Sequence, residues 1–382
     1  MNASIDKPIN LILIIIGTYL GIKLVTFLLG RKSVKNNSNI YLGIYVLVLL
    51  FYFITGLLFR LDLLEHFPHI VGVQSSFHFL IGPLAYLYVR SCTQKGFELR
   101  PLLWLHFLPF GLELIYNMPF YLKSGPEKVA FYQELIQTGK ILTSSMVRII
   151  KGIHGFIYLG LSAVLIAQYR KHLSNEASSV DTVYHRWLLF FIFIVALPTL
   201  AHFIFVFTEF HLGYTVLVFL VGLFGFFLSL DVATLLKPEL FHTFPHQMLI
   251  PESNEDKKQK YESSKLQDAQ KEKYIEKLRA FMAADKPYLE SELTLAQLSE
   301  KINIPAHYLS QVINEKLKVN FLDFINGYRI KEAQEKLIDP KLSHYTILSI
   351  AYEAGFNSKS TFYSAFKKGT GTTPSQFRKQ NK

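Results

Sequence analysis

The chain has 382 residues, half of them hydrophobic and 15% aromatic, with a net charge of +11 and a mean hydropathy of +0.24. One soluble globule rarely combines those values, and the single cysteine, Cys92, excludes a disulfide framework or a cysteine-built metal site within one chain. The average conceals two chemistries: residues 1–236 hold 17 Lys+Arg and 11 Asp+Glu, leaving 23 and 18 for the much shorter remainder.

The run from Ile9 to Leu29 is too long for a signal-peptide core and lacks a small-residue cleavage site, which predicts a retained anchor. A bilayer core of ~30 Å takes roughly 20 apolar residues in a helix. Seven stretches fit that length, at 9–29, 40–59, 70–90, 101–121, 147–169, 187–208 and 212–236. Positive charge in the loops orients them. Arg31, Lys32 and Lys35 follow the first, Arg90, Lys95 and Arg100 the third, and Arg170, Lys171 and Arg186 the fifth, while the alternate loops are poorer. The expected placement is a multi-pass protein of the cell inner membrane, N-terminus outside and residues 237–382 in the cytoplasm.

Polar residues inside such spans are costly and mark candidate sensor positions. They are His78, His106, Glu113, His154, His202 and Asp231. His106 and Glu113 stand seven apart, which predicts one face of the fourth helix. Hydrogen bonds that bridge helices are the competing role for each of these groups. His172 and His185 have no metal-ligand spacing, and Cys92 reads as an inert thiol. Neither a metal, a cofactor nor a catalytic residue is expected.

After Leu236, Pro238, Pro245 and Pro251 rule out one continuous helix, and residues 252–273 are charged and nearly without apolar side chains. Residues 237–273 therefore read as a charged cytosolic linker. From Tyr274 the spacing of Ile275, Leu278, Phe281 and Met282 turns amphipathic, and a folded all-helical domain is expected over 274–382.

Two stretches of that domain share a layout. In residues 293–317, Leu295, Leu298 and Ile302 give a first helix its apolar face, and Asn303 suits a left-handed turn. Pro305 then opens a second helix whose Leu309, Val312 and Ile313 point inward. In residues 345–368, Ile347, Ile350, Ala351 and Ala354 precede Gly355, Asn357 or Ser358 caps the next helix, and Phe362, Ala365 and Phe366 point inward. A helix over about 320–338 joins the halves, giving paired helix-turn-helix units. The outward faces are then Ala306, His307, Ser310, Gln311 and Asn314 on one recognition helix, and Lys359, Ser360, Tyr363, Ser364 and Lys367 on the other. Such side chains can address base edges in a major groove. Lys367, Lys368, Arg378 and Lys379 are the expected phosphate contacts. Residues 274–382 hold 16 basic and 11 acidic residues, too modest an excess to argue nucleic-acid binding alone.

The run KINIPAHYLSQVIN, the linker helix NFLDFINGYRIKEAQEKL and ILSIAYEAGFNSKSTFYSAFKKGTGTTPSQFRK together resemble the AraC-type (AraC/XylS) transcription regulators over about 280–380. The likeness extends through Ala351-x-x-x-Gly355-Phe356, Phe362-x-x-x-Phe366-Lys367-Lys368, Gly371 and Pro374. It implies a DNA-binding domain with two helix-turn-helix motifs about a central helix. By position it implies base contacts at His307, Ser310, Gln311, Lys359, Ser360, Thr361, Tyr363 and Ser364, with Thr361 resting on the resemblance alone. Most relatives of that type carry a soluble effector domain where this chain has apolar spans, so nothing about ligand carries over. The layout is similar to membrane-embedded AraC-type regulators of bacteria.

The expected function is a membrane-bound, sequence-specific DNA-binding regulator of transcription, not an enzyme. Its expected partners are double-stranded DNA, membrane lipid and an unknown small-molecule or membrane signal, with a homodimer partner and RNA polymerase as further ones. The alternative is a transporter or receptor whose helical tail only binds proteins. Against it, the sequence holds no nucleophile elbow, phosphate loop or paired intramembrane carboxylates.

Overall fold

The computed structural model describes residues 6–30, 37–138, 145–179, 183–207, 212–241, 250 and 268–381. Among these the chain is all-helical: fifteen α-helices, and no strand beyond isolated bridges. The helices form two packed units.

The first unit holds residues 1–166 and 186–246. Its helices are α1 (Asp6–Leu28), α2 (Asn37–Arg60), α3 (Val73–Thr93), α4 (Leu108–Tyr121), α5 (Gly125–Thr138), most of α6 (Ser145–Glu176), α7 (Val183–Phe207) and α8 (Leu212–Leu236). α1 packs on α2 and on α8, and α2 on α3. Gly17 and Gly21, four apart on one side of α1, make this approach possible. A Cβ on Gly17 would lie 2.5 Å from the Phe53 ring of α2, and one on Gly21 2.7 Å from Phe227 of α8. Tyr45, Phe53, Phe191, Phe226 and Phe227 fill the interior, while Ile153, Ile157, Leu161 and Val164 of α6 and Leu189, Phe193, Leu197 and Leu200 of α7 are exposed.

Among the described residues, four helices are long and apolar enough to cross a membrane. Their apolar stretches are Leu11–Leu28, Ser38–Phe59, Met146–Glu176 and Tyr184–Ala201, and Leu220–Leu236 is a shorter one. The stretch expected as a fourth span, 101–121, is not one helix. It is a 3-10 segment, Pro101–Phe107, followed by α4 of 14 residues. At 1.5 Å per residue α4 reaches ~21 Å, short of a ~30 Å core. Pro101 and Pro109 each open a new segment, because proline suits the first turn of a helix and not its middle. The 70–90 stretch begins as a helix only at Val73, after a left-handed Gly72, and carries Gln74, Ser75, Ser76 and His78 in its first turns. α5 lies between the fourth and fifth of the apolar stretches, where no helix is expected.

The second unit holds residues 167–185 and 247–382. Its helices are α9 (Asp268–Ala284), α10 (Leu295–Lys301), α11 (Ala306–Glu315), α12 (Phe321–Ile338), α13 (Ile347–Glu353), α14 (Lys359–Thr370) and α15 (Pro374–Gln380). α9 begins inside the segment expected as linker, whose residues 242–249 and 251–267 lie outside the described ones. Two apolar cores result. Leu278, Leu298, Leu309, Ile313, Phe321 and Ile325 belong to one, and Ala333, Leu337, Ile350, Phe362 and Phe366 to the other. α12 feeds both, its first half one core and its second half the other, as expected of a joining helix.

Candidate nucleic-acid interface

Each helix-turn-helix is set by local chemistry. Thr294 and Gln297 form a capping box that starts α10: the Gln297 amide donates to Thr294 Oγ1 (3.2 Å), and the Thr294 amide to Gln297 Oε1 (2.8 Å). Asn303, φ 50°, turns the chain, and Pro305 directly precedes α11. In the second helix-turn-helix Thr346 caps α13 through the Ser349 amide (3.0 Å), and Gly355 turns the chain at φ 91°. Ser358 caps α14 by accepting from the Thr361 amide (3.2 Å). Leu309 and Phe362, corresponding positions of α11 and α14, are both completely buried.

With those anchors inward, α11 exposes His307 and Asn314 and half-buries Ser310. Gln311 is a correction: it is not on the open face. Its side chain is 7% exposed, and its Nε2 donates to both carboxylate oxygens of Glu315 at 3.1 and 3.2 Å. Glu315 is itself held by Lys271 of α9 at 3.0 Å, and this draws the Gln311 amide along α11. The hydrogen bond from Lys271 keeps the Glu315 carboxyl below the usual carboxylate range, helped by that from Gln311.

On α14, Lys359, Ser360, Ser364 and Lys367 are exposed and Tyr363 is half-buried, with the Lys359 ammonium 5.7 Å from the Tyr363 ring centre. Thr361 is partly committed to the cap, since its Oγ1 accepts from Ser358 at 2.8 Å. Two expected phosphate contacts are engaged within the protein. Lys368 donates to Asp323 of α12 at 2.9 and 3.0 Å. Arg378 donates from Nη1 to Tyr345 O (2.7 Å) and from Nη2 to Leu342 O (2.9 Å), fastening α15 to the loop before α13. Lys367 and Lys379 remain exposed.

Residues 298–380 match the family model described as a helix-turn-helix domain. The chain is 31% identical over 106 residues to the melibiose operon regulatory protein of Escherichia coli K12, covering 28% of this chain and 33% of that one. It is 35% identical over 91 residues to an uncharacterized HTH-type transcriptional regulator of Staphylococcus aureus strain MSSA476, 24% of this chain and 12% of that one. The C-terminal part is an AraC-type helix-turn-helix domain. A solved structure of a Listeria innocua protein of unknown function is 30% identical and covers 28% of this chain and 97% of its own, with a TM-score of 0.25. The chain thus spans about a third or less of these two curated relatives.

N-terminal to the AraC-type domain, the first unit brings several candidate sensor residues together around α6. Glu113 Oε1 lies 2.7 Å from Lys151 Nζ, which also donates to Ser75 O (2.9 Å) and Ser75 Oγ (2.8 Å). Glu113 and Lys151 are 7% and 3% exposed, and Glu113 Oε2 is buried with no hydrogen-bond partner among the described residues. His106 Nδ1 shares a 2.7 Å hydrogen bond with the Tyr158 hydroxyl, and the His154 ring lies 4.8 Å from that of Tyr158. His106 and Glu113 do not share one α-helix as expected, because His106 falls in the 3-10 segment. Both nevertheless meet α6, at Tyr158 and Lys151, themselves seven apart on one of its faces. A cavity of about 40 Å³ beside Tyr158 is lined by His78, Ser162 and Thr199 among others. Asp231 stands apart from this group, paired with Lys23 of α1 at 2.7 Å. His202 is on α7, its side chain outside the described ones. Neither Lys151 nor Tyr158 was a sequence candidate, although a lysine inside an apolar stretch was a readable signal.

Proposed function

We propose that this chain is a membrane-bound, sequence-specific DNA-binding transcription regulator that couples a membrane or extracytoplasmic signal to gene expression. One observation carries the reading: two helix-turn-helix units on a shared α12, each with an exposed polar face of His307 and Asn314 or of Lys359, Ser360 and Ser364. The names of the similar proteins, regulators of transcription, support it. For membrane residence the support is four helices of sufficient length and apolar composition, with aliphatic faces of α6 and α7 turned outward. Orientation has support too. The tip of the α6–α7 connection belongs to the packed unit that holds the AraC-type domain, as the reading with both on the cytoplasmic side requires.

The signal site in this reading is the group around Glu113, Lys151, Ser75, His106, His154 and Tyr158. It sets a buried charge pair beside a carboxylate oxygen with spare accepting capacity. A coupling of ~1–3 kcal/mol between that site and the DNA-binding domain changes DNA affinity 5–150-fold.

The test is genome-wide mapping of DNA bound by the full-length chain in its membrane. Discrete bound sites, weakened by salt, are expected. Absence of any enriched sequence overturns the reading.

A further inference from the structure

Among the described residues Arg329 of α12 is the largest fully buried side chain, 1% exposed, and no carboxylate pairs with it. Oxygen dipoles surround it instead. Its Nε donates to Tyr288 O (2.7 Å), and its Nη2 donates to Glu290 O (2.7 Å) and Ser178 Oγ (3.0 Å). Its Nη1 donates to Ser178 O (3.0 Å). Ser178 lies 151 residues upstream, in the connection between α6 and α7.

The neighbours of Ser178 are seated as well. Ala177 forms an antiparallel bridge with Thr294, the residue that caps α10, and the Ser178 amide donates to Leu293 O at 2.9 Å. Asn357, in the turn before α14, donates from Nδ2 to Ser179 Oγ at 3.1 Å. Ala177, Ser178 and Ser179 are all buried. Three consecutive residues therefore touch the start of the first helix-turn-helix, the shared helix and the turn of the second. Gly355 closes the same place: a Cβ there would stand 3.0 Å from Arg329 Nε.

We infer that residues 177–179 are an intramolecular ligand of the AraC-type domain, seated in a receptor formed by Leu293, Thr294, Arg329 and Asn357, and that this contact transmits the state of the first unit to DNA reading. The second half rests on the proposed function; the first does not. The receptor addresses mainly peptide groups, an amide and a carbonyl of Ser178, so it fits an extended segment in one register. Removing the segment takes from Arg329 the Ser178 carbonyl that its Nη1 meets and the Ser178 hydroxyl that its Nη2 meets, so release gives up several hydrogen bonds to a charged group together. α6 leads into the segment and α7 leads out of the connection, so a displacement of either helix end bears directly on the seat.

The test uses the full chain in membranes, with Cys92→Ser and the pair Ala177→Cys and Thr294→Cys. Bridged antiparallel residues have Cα atoms ~4.5–5.5 Å apart, within disulfide reach. A protease site inserted between residues 254 and 265 allows the chain to be cut. After oxidation and cutting, a non-reducing gel should retain the full-length mass, and reductant should separate the fragments. Fragments that separate without reductant, or a disulfide-linked dimer, overturn the intramolecular seat.

The functional arm is Ser178→Pro, which removes the amide donor to Leu293 and leaves residues 268–381 untouched. With equal yield in the membrane fraction, captured genomic DNA should change at least 5-fold, the lower end of typical coupling. A change under about 2-fold overturns transmission. Should the unaltered chain capture no DNA, the proposed function fails together with transmission, while the cross-link still decides the seat.

Discussion

Lys151 and Glu113 meet at 2.7 Å with both side chains almost wholly buried. Ion pairs removed from water gain little net stability, because the lost hydration offsets the attraction, yet halving one is costly. Lys151→Met should destabilise the first unit by ~3–5 kcal/mol, since it strands the Glu113 carboxylate. Adding Glu113→Leu should restore most of that loss. The midpoints of thermal unfolding in detergent read both. A double variant no more stable than the single one would show that the stranded Glu113 carboxylate is not the source of the loss.

Arg378 and Lys367 lie eleven residues apart and should behave differently. Arg378→Ala leaves the carbonyl of Tyr345 without its Arg378 donor, while Leu342 O keeps the Tyr345 amide at 3.0 Å, and a loss of ~1–3 kcal/mol is expected from the unmet group. Lys367 is exposed and free to meet phosphate. Lys367→Ala should leave stability unchanged, weaken binding to all sequences alike and reduce the salt slope by ~1. His307→Ala and Lys359→Ala should lower specific binding more than nonspecific binding. The assay is a filter-binding titration of the full chain against a mapped site and a scrambled duplex over several salt concentrations. Equal losses on both duplexes would remove His307 and Lys359 from base reading.

How much of this was legible depended on the range of the interaction. The periodicity that put Leu309 and Phe362 inside, and the turns at Asn303 and Gly355, are properties of a few adjacent residues, and the structure reproduces them. Gln311 was misplaced because helical spacing put it on the flank of the exposed face. Its amide meets Glu315, which is held by Lys271, forty-four residues away. Arg378 looked like a phosphate contact because charge is visible in a sequence and its carbonyl partners are not. The fourth apolar stretch had the length of a span, yet its prolines divide it into pieces whose ends composition does not mark. The Ser178–Arg329 contact joins two polar residues in unremarkable contexts, and nothing local announces it.

Gly355 tests the turn itself. Its φ of 91° lies in the left-handed region, where a side chain adds ~1–2 kcal/mol of strain. A Cβ would also come 2.4 Å from Tyr288 O and 2.9 Å from Leu289 Cα, both backbone atoms that cannot swing aside. Gly355→Ala should therefore destabilise the second unit by more than the conformational term alone, and Asn303→Gly, at φ 50° where glycine carries no strain, should be near neutral. Amide hydrogen exchange of Ile350, Ala351, Phe362 and Phe366 in the full chain reports the comparison. Equal protection in the two variants would deny the close approach its importance.

Acid should loosen the α9–α11 contact first. Hydrogen bonds from Lys271 and Gln311 hold the Glu315 carboxyl below its ordinary range, so its folded-state pKa is depressed relative to the unfolded chain. The folded state then binds its proton less readily, and the stability this contributes is fully present above the ordinary carboxylate value of about 4.3. It is lost as pH falls through the folded value. Glu315→Gln cannot titrate there, so the pH dependence between 5 and 3 should flatten around α11 by comparison with the unaltered chain. Exchange protection of Val312 and Ile313, measured at pH 5 and again near pH 3, reads the difference. If the two chains lose protection in parallel over that interval, the Lys271–Glu315 contact does not govern the acid response of the first helix-turn-helix.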